Sequence, residues 1–488
     1  MRGRRFEDDH KASKKKLSVQ PKQKRIASFQ RKALANNPHP SVAMVDPCVQ
    51  GLNASSRFYL DYFNLRISKL FILCDSDNNP FRHLLTYATD DIPLQKCIIA
   101  VSARHFANTG QSFDQTSASM APRFVVANLD ALHFKRQTIQ AVTGALNSHE
   151  MSRKNTLLAS IFLLIFLDLL ESGIDGWNHH ICGARGLVSL GSSLLDPGHE
   201  QATKRQMKTN HGDMATDTRK FISRQLNLYC PSLISGMTQK IPVLTNSRIS
   251  TLGDALSGCS KSGSEAFPNC DSEIKQESIV RSFLGCPDLL LRAIRYFSSQ
   301  RAFLGNLDSQ KTDSVNDHIR DTMVMLDMTG NFDCQQWASR VISLTVFDLK
   351  IEKLSLLAKA YKSAALIYGT RIFRAFASLS NTLISTQETE NMALISELIA
   401  TIELLAADEM FFKCLIWPTF IAGLECQTAN TRDSITVLLR GLWNSTSCLN
   451  VINASRILQE YWQKQDSSDN LGKAHQEIEV MGQGWLLI

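Results

Sequence analysis

Between Leu354 and Ala375 the clearest periodicity lies at Leu354, Leu357, Tyr361, Ala364, Tyr368, Ile372 and Ala375, spaced by threes and fours. That spacing lines one face of an α-helix. The same period runs through much of the chain from about Ala54 onward. Ser56 to Cys74 carries Phe58, Tyr59, Tyr62, Phe63, Ile67 and Leu70 as an apolar set. Asn79 and Pro80 follow, an amide able to cap a helix and a ring suited to its first turn. Leu94, Ile98 and Val101 repeat at helical spacing, with Cys97 and Phe106 beside them. Two long helices are predicted at Leu129 to Leu146 and Thr156 to Leu170. The second is apolar nearly all round, which places it centrally. Helices resume at "FLGCPDLLLRAIRYF", where Pro287 and Asp288 suit a helix start. Two closing helices are expected near Thr431 to Trp443 and Ser455 to Trp462. Strand-type alternation is nearly absent, and no repeat of fixed length stands out. The pattern predicts an all-α fold, a large multi-helix domain.

Two stretches break the period. Residues 1–50 are rich in Lys, Arg, Gln, Ser and Asn and poor in aromatics, the composition of a disordered tail. Residues 192–280 are polar and too long for a packed loop, so they are expected to be a largely mobile insertion with one short helix at Thr218 to Tyr229. The expected organisation is therefore a basic tail (1–50), a first helical half (51–191), the insertion (192–280) and a second helical half (281–488).

Charge sharpens that division. The 488 residues carry a net charge of +7, yet residues 1–35 hold twelve basic and three acidic side chains, leaving −2 for the remainder. The basic character belongs to the tail. Its lack of an apolar segment argues against a secretory signal, and its acidic residues against a mitochondrial presequence. The longest apolar run, Leu157 to Leu170, spans roughly 21 Å as a helix, short of a bilayer core of about 30 Å. No membrane role is expected.

The twelve cysteines contain no CxxC, and no pair is closer than Cys259 and Cys270. Without a secretory signal their thiols are expected to be reduced. Cys97, Cys182, Cys414 and Cys426 read as small buried apolar residues.

Few residues suggest chemistry. The stretch "GWNHHICGARGLVSLG" (176–191) gathers His179, His180 and Cys182 within four positions. Adjacent helical side chains diverge by about 100°, so the two histidines are poorly placed to grip one ion, and packing is the better reading. There is no GxSxG, HExxH, P-loop or GxGxxG. Asp168 interrupts an apolar run and is expected near the helix end beside Glu171, facing polar groups. No catalytic, cofactor-binding or metal-ligating residue is predicted. In "KASKKKLSVQPKQKR", Lys14, Lys15 and Lys16 are separated by a short spacer from Lys22, Lys24 and Arg25. That resembles a bipartite nuclear-import signal, and such a tail also attracts phosphate without reading sequence. In "KCLIWPTFIAGLE", Pro418 is expected to kink or restart a helix, which can open a pocket.

Six segments in order resemble the regulatory domain of fungal binuclear-zinc-cluster transcription factors. They are "NPFRHLLTYATDDIPLQKCIIAVSARHF" (79–106), "ALHFKRQTIQAVTGAL" (131–146), "WNHHICGARGLV" (177–188), "FLGCPDLLLRAI" (283–294), "AYKSAALIYGTRIF" (360–373) and "WPTFIAGLEC" (417–426). The resemblance covers roughly Arg57 to Trp462, with a variable insertion between the third and fourth segments. It implies an all-α domain that controls a transcription factor, receives input from a partner or a small-molecule effector, and does not itself read DNA. Trp177, His180, Gly183, Ala184, Pro287, Trp417 and Pro418 are motif positions with packing roles. Trp177, Ile181, Ala184 and Val188 share one helix face, and Gly183 and Ala184 are small enough for a neighbouring helix to come close. His180 matches the histidine usual at this point of the family and is expected at a buried helix contact, hydrogen-bonded rather than ligated.

The family's DNA-reading module is a six-cysteine cluster holding two zinc ions. The first cysteines here are Cys48 and Cys74, and none has the spacing that module requires. The expectation is a nuclear transcription regulator without that cluster in this chain. Its helical surfaces would engage other transcription regulators or the transcription machinery, as a homo-oligomer or not, and its tail would give only weak non-specific DNA contact. The alternatives are a DNA-binding member whose N-terminal module is missing from this sequence, and a non-nuclear helical interaction protein.

Overall fold

The computed structural model describes residues 52–114, 120–147, 154–172, 177–192, 221–222, 284–304, 313–343, 349–379 and 388–467. Among them helices supply all the regular structure, and there is no strand. The first helix, α1 (Ala54–Tyr62), starts where the Asn53 side chain accepts the Ser56 amide at 2.8 Å. It runs on through a π-helical stretch, Phe63–Ile67, and a last turn, Ser68–Leu70. The carbonyls there have no helical partners. The buried Lys413 ammonium supplies them, donating to Lys69 O at 2.6 Å and Ile72 O at 2.7 Å.

Helix α2 (Pro80–Ala88) has Pro80 in its first turn. Asn79 accepts the Phe81 amide at 2.9 Å and donates to Ser68 O at 2.9 Å. Helix α3 (Ile92–Asn108) is capped by Asp91, and twelve of its seventeen residues are buried, because α4 (Pro122–Asn147) and α5 (Lys154–Glu171) pack against it. Every residue of α5 from Leu157 to Leu170 is buried, so its all-round apolar pattern does mark the centre. Helix α6 (Trp177–Ser192) closes this group against α5.

The remaining helices surround one long element. These are α7 (Asp288–Leu304), α8 (Asp313–Gly330), α9 (Cys334–Ser343), α10 (Ile351–Leu379) and α11 (Glu388–Leu405). A short α12 (Glu409–Phe412) and α13 (Ile416–Leu424), α14 (Ala429–Thr446) and α15 (Leu449–Ser467) follow. Helix α10 touches α7, α8, α9, α11 and α13. The two groups are joined by α15 on α5 and by side chains that finish foreign helix ends. Asn108 donates to Leu170 O and Ser447 O, and Asn453 to Ser172 O. One apolar cluster runs from Phe63 to Trp462.

Several expectations change. The closing helices are longer than predicted, and Cys182 is exposed while Cys97, Cys414 and Cys426 are buried. Cys182 follows Ile181, which faces the core, and one helical step turns it to solvent. The tail (1–50) lies outside the described residues. So does the expected insertion, except Ser192 and Phe221–Ile222. Phe221 and Ile222 are core residues, with Phe221 edge-on to Phe81 at 5.5 Å and to Phe162 at 6.3 Å. That piece of 192–280 is packed. No helix among the described residues is long and apolar enough to cross a membrane.

Candidate functional site

Three features could carry function: a closed cluster of charges, an open cavity and an apolar outer face. The cluster sits where α3, α4, α5 and α6 meet. Helix α4 turns Ala127, Ala131, Thr138 and Val142 inward, and Lys135 falls on that same stripe. Its ammonium meets Asp168 Oδ1 at 3.0 Å and also Glu171 Oε2. Glu171 Oε1 takes Arg104 at 3.0 Å, and Arg104 also donates to Asn128. His180 Nε2 lies 3.5 Å from Asp168 Oδ2. Two carboxylates thus balance two fixed cations, and Asp168 is only 3% exposed.

That balance sets the proton states. Burial pulls Lys135 down, but Asp168 and Glu171 outweigh it and hold the ammonium above its ordinary range. His180 moves the other way, to about 4, through burial first and the Lys135 charge second. A neutral imidazole beside Asp168 is what a charge-balanced interior requires. His105 on α3 behaves alike: buried, 2.8 Å from the Tyr62 hydroxyl through Nδ1, and lowered to about 4 by burial and then by Arg66.

The cavity, about 400 Å³, opens between α7, α10, α13 and α15. Its walls include Ile367, Ile372, Ala375, Ile421 and Leu424, and its polar groups include Arg301, Arg371, Arg374 and Glu425. Arg371 donates to Glu425 Oε1 at 2.8 Å and to the Tyr461 hydroxyl at 3.2 Å. The third feature is the solvent side of α4, where Val125, Val126, Leu129, Leu132, Ile139 and Leu146 are 39–60% exposed.

Of the residues singled out in sequence, Trp177 and Ala184 are fully buried on α6, and His180 is 20% exposed at its side chain. His179 points to solvent. Gly183 differs from expectation: it is exposed, with nothing within 4 Å of where a Cβ would sit, so helix approach occurs at Ala184. Pro287 is buried, and its carbonyl accepts the Leu291 amide that starts α7. Trp417 is buried and stacks on Tyr361 at 6.1 Å. Pro418 restarts the chain as helix in the first turn of α13, whose Ile421 and Leu424 reach the cavity. Lys14, Lys15, Lys16, Lys22, Lys24 and Arg25 lie outside the described residues. Among the described residues no three His, Cys, Asp or Glu side chains are grouped to hold a metal ion.

Sequence reasoning missed Lys135, Arg104, Arg371 and Glu425. A signal existed for Lys135, a lone cation on an alanine-lined helix stripe that demands a buried counter-charge. Arg371 sits between the apolar-face residues Tyr368 and Ile372, which is a similar cue.

Comparison with known families returns one match. The model of the fungal specific transcription factor domain matches residues 58–223 and 248–487, and the chain belongs to that family. A relative is the acriflavine sensitivity control protein acr-2 of Neurospora crassa, 24% identical over 442 residues. That alignment takes in 88% of this chain and 66% of the relative, so the chain spans just under two thirds of that protein's length. No solved structure matches. The family's proteins act in transcription, generally in the nucleus.

Proposed function

We propose that this chain is a regulatory, non-enzymatic element of a nuclear transcription regulator, and that it works by docking an acidic amphipathic helix of another transcription protein on α4. The carrying observation is the spacing of the outer face. Val125, Leu129, Leu132, Arg136, Ile139, Thr143 and Leu146 follow one another by fours and threes, all exposed. This is the seam that a second helix fills with knobs into holes, and it runs for roughly 30 Å. Contiguous apolar surface of this size on a soluble domain marks an interaction site.

Charge selects the occupant. Among the described residues of α4, the exposed charges are Arg123 and Arg136, while Asp130 is engaged by the Tyr59 hydroxyl at 2.9 Å. Pairing two copies, parallel or antiparallel, would bring Arg136 against its own counterpart near the seam's middle. A foreign helix with carboxylates flanking its apolar stripe meets no such repulsion.

A designed helical peptide with leucine at a and d and glutamate at e and g tests this by fluorescence anisotropy. It should bind the full chain, and the Leu129→Glu/Leu132→Glu variant should lose it while unfolding at an unchanged temperature. A lysine-flanked peptide binding equally well, or light scattering that shows a dimer through α4, would refute the assignment. We further propose that the basic clusters Lys14–Lys16 and Lys22–Arg25 direct import and give only weak, salt-dependent DNA contact. Changing them to alanine should leave a tagged chain in the cytoplasm, and unchanged nuclear signal would contradict it. The coverage of the relative favours one second reading, a DNA-reading protein whose zinc-cluster module is missing from this sequence. A transcript encoding CxxC pairs in frame would decide it.

A further inference from the structure

The exposed seam of α4 lies within reach of a second segment of this same chain. We propose that residues 478–488 dock on α4 in competition with the foreign helix, so that the chain masks its own docking face. The inference rests on the α4 reading for the site and adds what controls access to it.

The segment's sequence complements the seam. Ile478, Met481, Trp485 and Ile488 are three, four and three positions apart, the heptad rhythm that Leu129, Leu132, Arg136 and Ile139 present on α4. Run parallel to α4, Ile478 meets Leu129, Met481 meets Leu132 and Ile488 meets Ile139. Trp485 then falls on Arg136, the cation that opposes pairing of two copies of α4. Of the aromatic faces, indole attracts a guanidinium most strongly, so this segment turns that obstacle into a contact. The sign of charge agrees as well. Residues 477–488 hold Glu477 and Glu479 and no basic side chain, against Arg123 and Arg136 exposed on α4.

Helix α14 measures the reach. At its start Arg432 pairs at 2.7 Å with Asp466, next to the last residue of α15. Just past its end the Ser447 carbonyl accepts Asn108 at 2.9 Å. Arg432 and Ser447 are thus about 22 Å apart along the helix. Asn108 ends α3, and two residues further on the Phe124 ring, in the first turn of α4, fills the place where a Cβ on Gly110 would stand. From Ser467 to Ile478 the chain can extend to about 36 Å. That length delivers Ile478 to the N-terminal half of α4, which sets the parallel direction.

Such a contact is exchangeable. Gly482 and Gly484 are poor helix formers, and a helix this short is marginal without a partner. Membership of the same chain gives the segment an effective concentration on the order of millimolar, so a weak contact still competes. A partner with a longer apolar stripe and no glycine displaces it.

Fluorescence anisotropy of the glutamate-flanked designed peptide on the full chain reads the competition. Ile478→Glu/Trp485→Glu, changes placed beyond α15, should raise its affinity roughly threefold to tenfold. Gly482→Ala/Gly484→Ala should act in the opposite direction and lower it, by roughly threefold or more. A labelled peptide of residues 475–488 should saturate the Ile478→Glu/Trp485→Glu chain with a midpoint on the order of 0.1–1 mM, and adding Leu129→Glu/Leu132→Glu should remove that binding. This last arm uses no foreign sequence. If the designed peptide binds no form of the chain while the 475–488 peptide binds through Leu129 and Leu132, the foreign occupant fails and self-docking stands. Measurable but equal affinity of the designed peptide for wild type and Ile478→Glu/Trp485→Glu would overturn self-docking and leave the foreign occupant in place. A 475–488 peptide that binds equally well after Leu129→Glu/Leu132→Glu, or not at all at about 1 mM, would overturn it too.

Discussion

The charged cluster on α3–α6 and the cavity on α7–α15 use the same chemistry to opposite ends. In the cluster, Lys135 and Arg104 meet Asp168 and Glu171, charges cancel locally, and His180 stays neutral beside them. In the cavity wall, Arg371 pairs with Glu425 at 2.8 Å beside about 400 Å³ of open volume. A balanced set of buried charges has nothing left to bind and serves to fix how its helices meet. The Arg371–Glu425 pair differs in bordering open volume. The contrast teaches that a buried ion pair closes a helix junction only where packing leaves no space beside it.

The largest way to break the comparison is to unbalance the closed cluster. Asp168→Ala leaves Lys135 and His180 facing a vacated interior, and removing one partner of a buried pair costs roughly 3–5 kcal/mol. Urea unfolding should show that loss. The double change Asp168→Leu/Lys135→Met removes both charges together and should cost much less. A loss below 1 kcal/mol for Asp168→Ala alone would mean that solvent already satisfies Lys135, and the cluster would not be closed.

Proton uptake is the next test. His105 and His180 are each held at about 4 in the fold, against an ordinary histidine value of about 6.5. Above pH 6.5 both states hold them neutral and stability is constant. As pH falls from 6.5 toward 4 the unfolded chain gains protons that the fold refuses, so stability falls. The loss is on the order of 3 kcal/mol per histidine. His105→Gln and His180→Asn should each flatten the acid limb of a stability–pH curve measured at constant ionic strength. The two limbs should add, because the sites are separate.

Much of this architecture was legible in the sequence, and the reasons are specific. The apolar set of α10 and the all-round apolar run of α5 each state a burial pattern directly. Asn79–Pro80 is a local start signal whose physics needs no partner. Asp168 beside Glu171 at a helix end was readable as polar-facing, because a carboxylate in an apolar run must find company. What the run could not name was the company: Lys135 and Arg104 lie 33 and 67 positions from Asp168 and Glu171 respectively, and packing alone brings them together. The cavity was illegible for the same reason, since its charged walls come from separate helices. Phe221 and Ile222 fall within the short helix expected at Thr218 to Tyr229, but their place in the core was not readable, because two apolar residues inside a long polar stretch do not name what they pack against.

Two glycines give a smaller and sharper comparison. A Cβ at Gly369 on α10 would come 2.5 Å from Phe297 Cζ and 2.8 Å from Leu326 Cδ2. Gly369→Ala is expected to cost about 1–3 kcal/mol through overpacking, even though it neighbours the cavity-lining Tyr368. Gly183→Ala on α6 meets open space and should be neutral or stabilising by up to about 1 kcal/mol through helix propensity. Thermal unfolding of the two variants would rank them. A cheap Gly369→Ala would mean that the cavity lets α7 relax, and the region's packing would then be softer than that of the closed cluster.

The smallest effect on stability is expected at the ion pair beside the cavity. Glu425→Gln keeps an acceptor for Arg371 and removes the one carboxylate among the named cavity walls. The pair is partly exposed, 23% at Arg371 and 18% at Glu425, so stability should change by less than about 1 kcal/mol. Asp168 in the closed cluster gives the opposite ranking, a large loss of stability when its charge is removed. Urea unfolding of the two variants side by side measures the difference. A loss above about 2 kcal/mol for Glu425→Gln would mean that the pair is as closed to solvent as the cluster on α3–α6, and the open volume beside it would then not screen it.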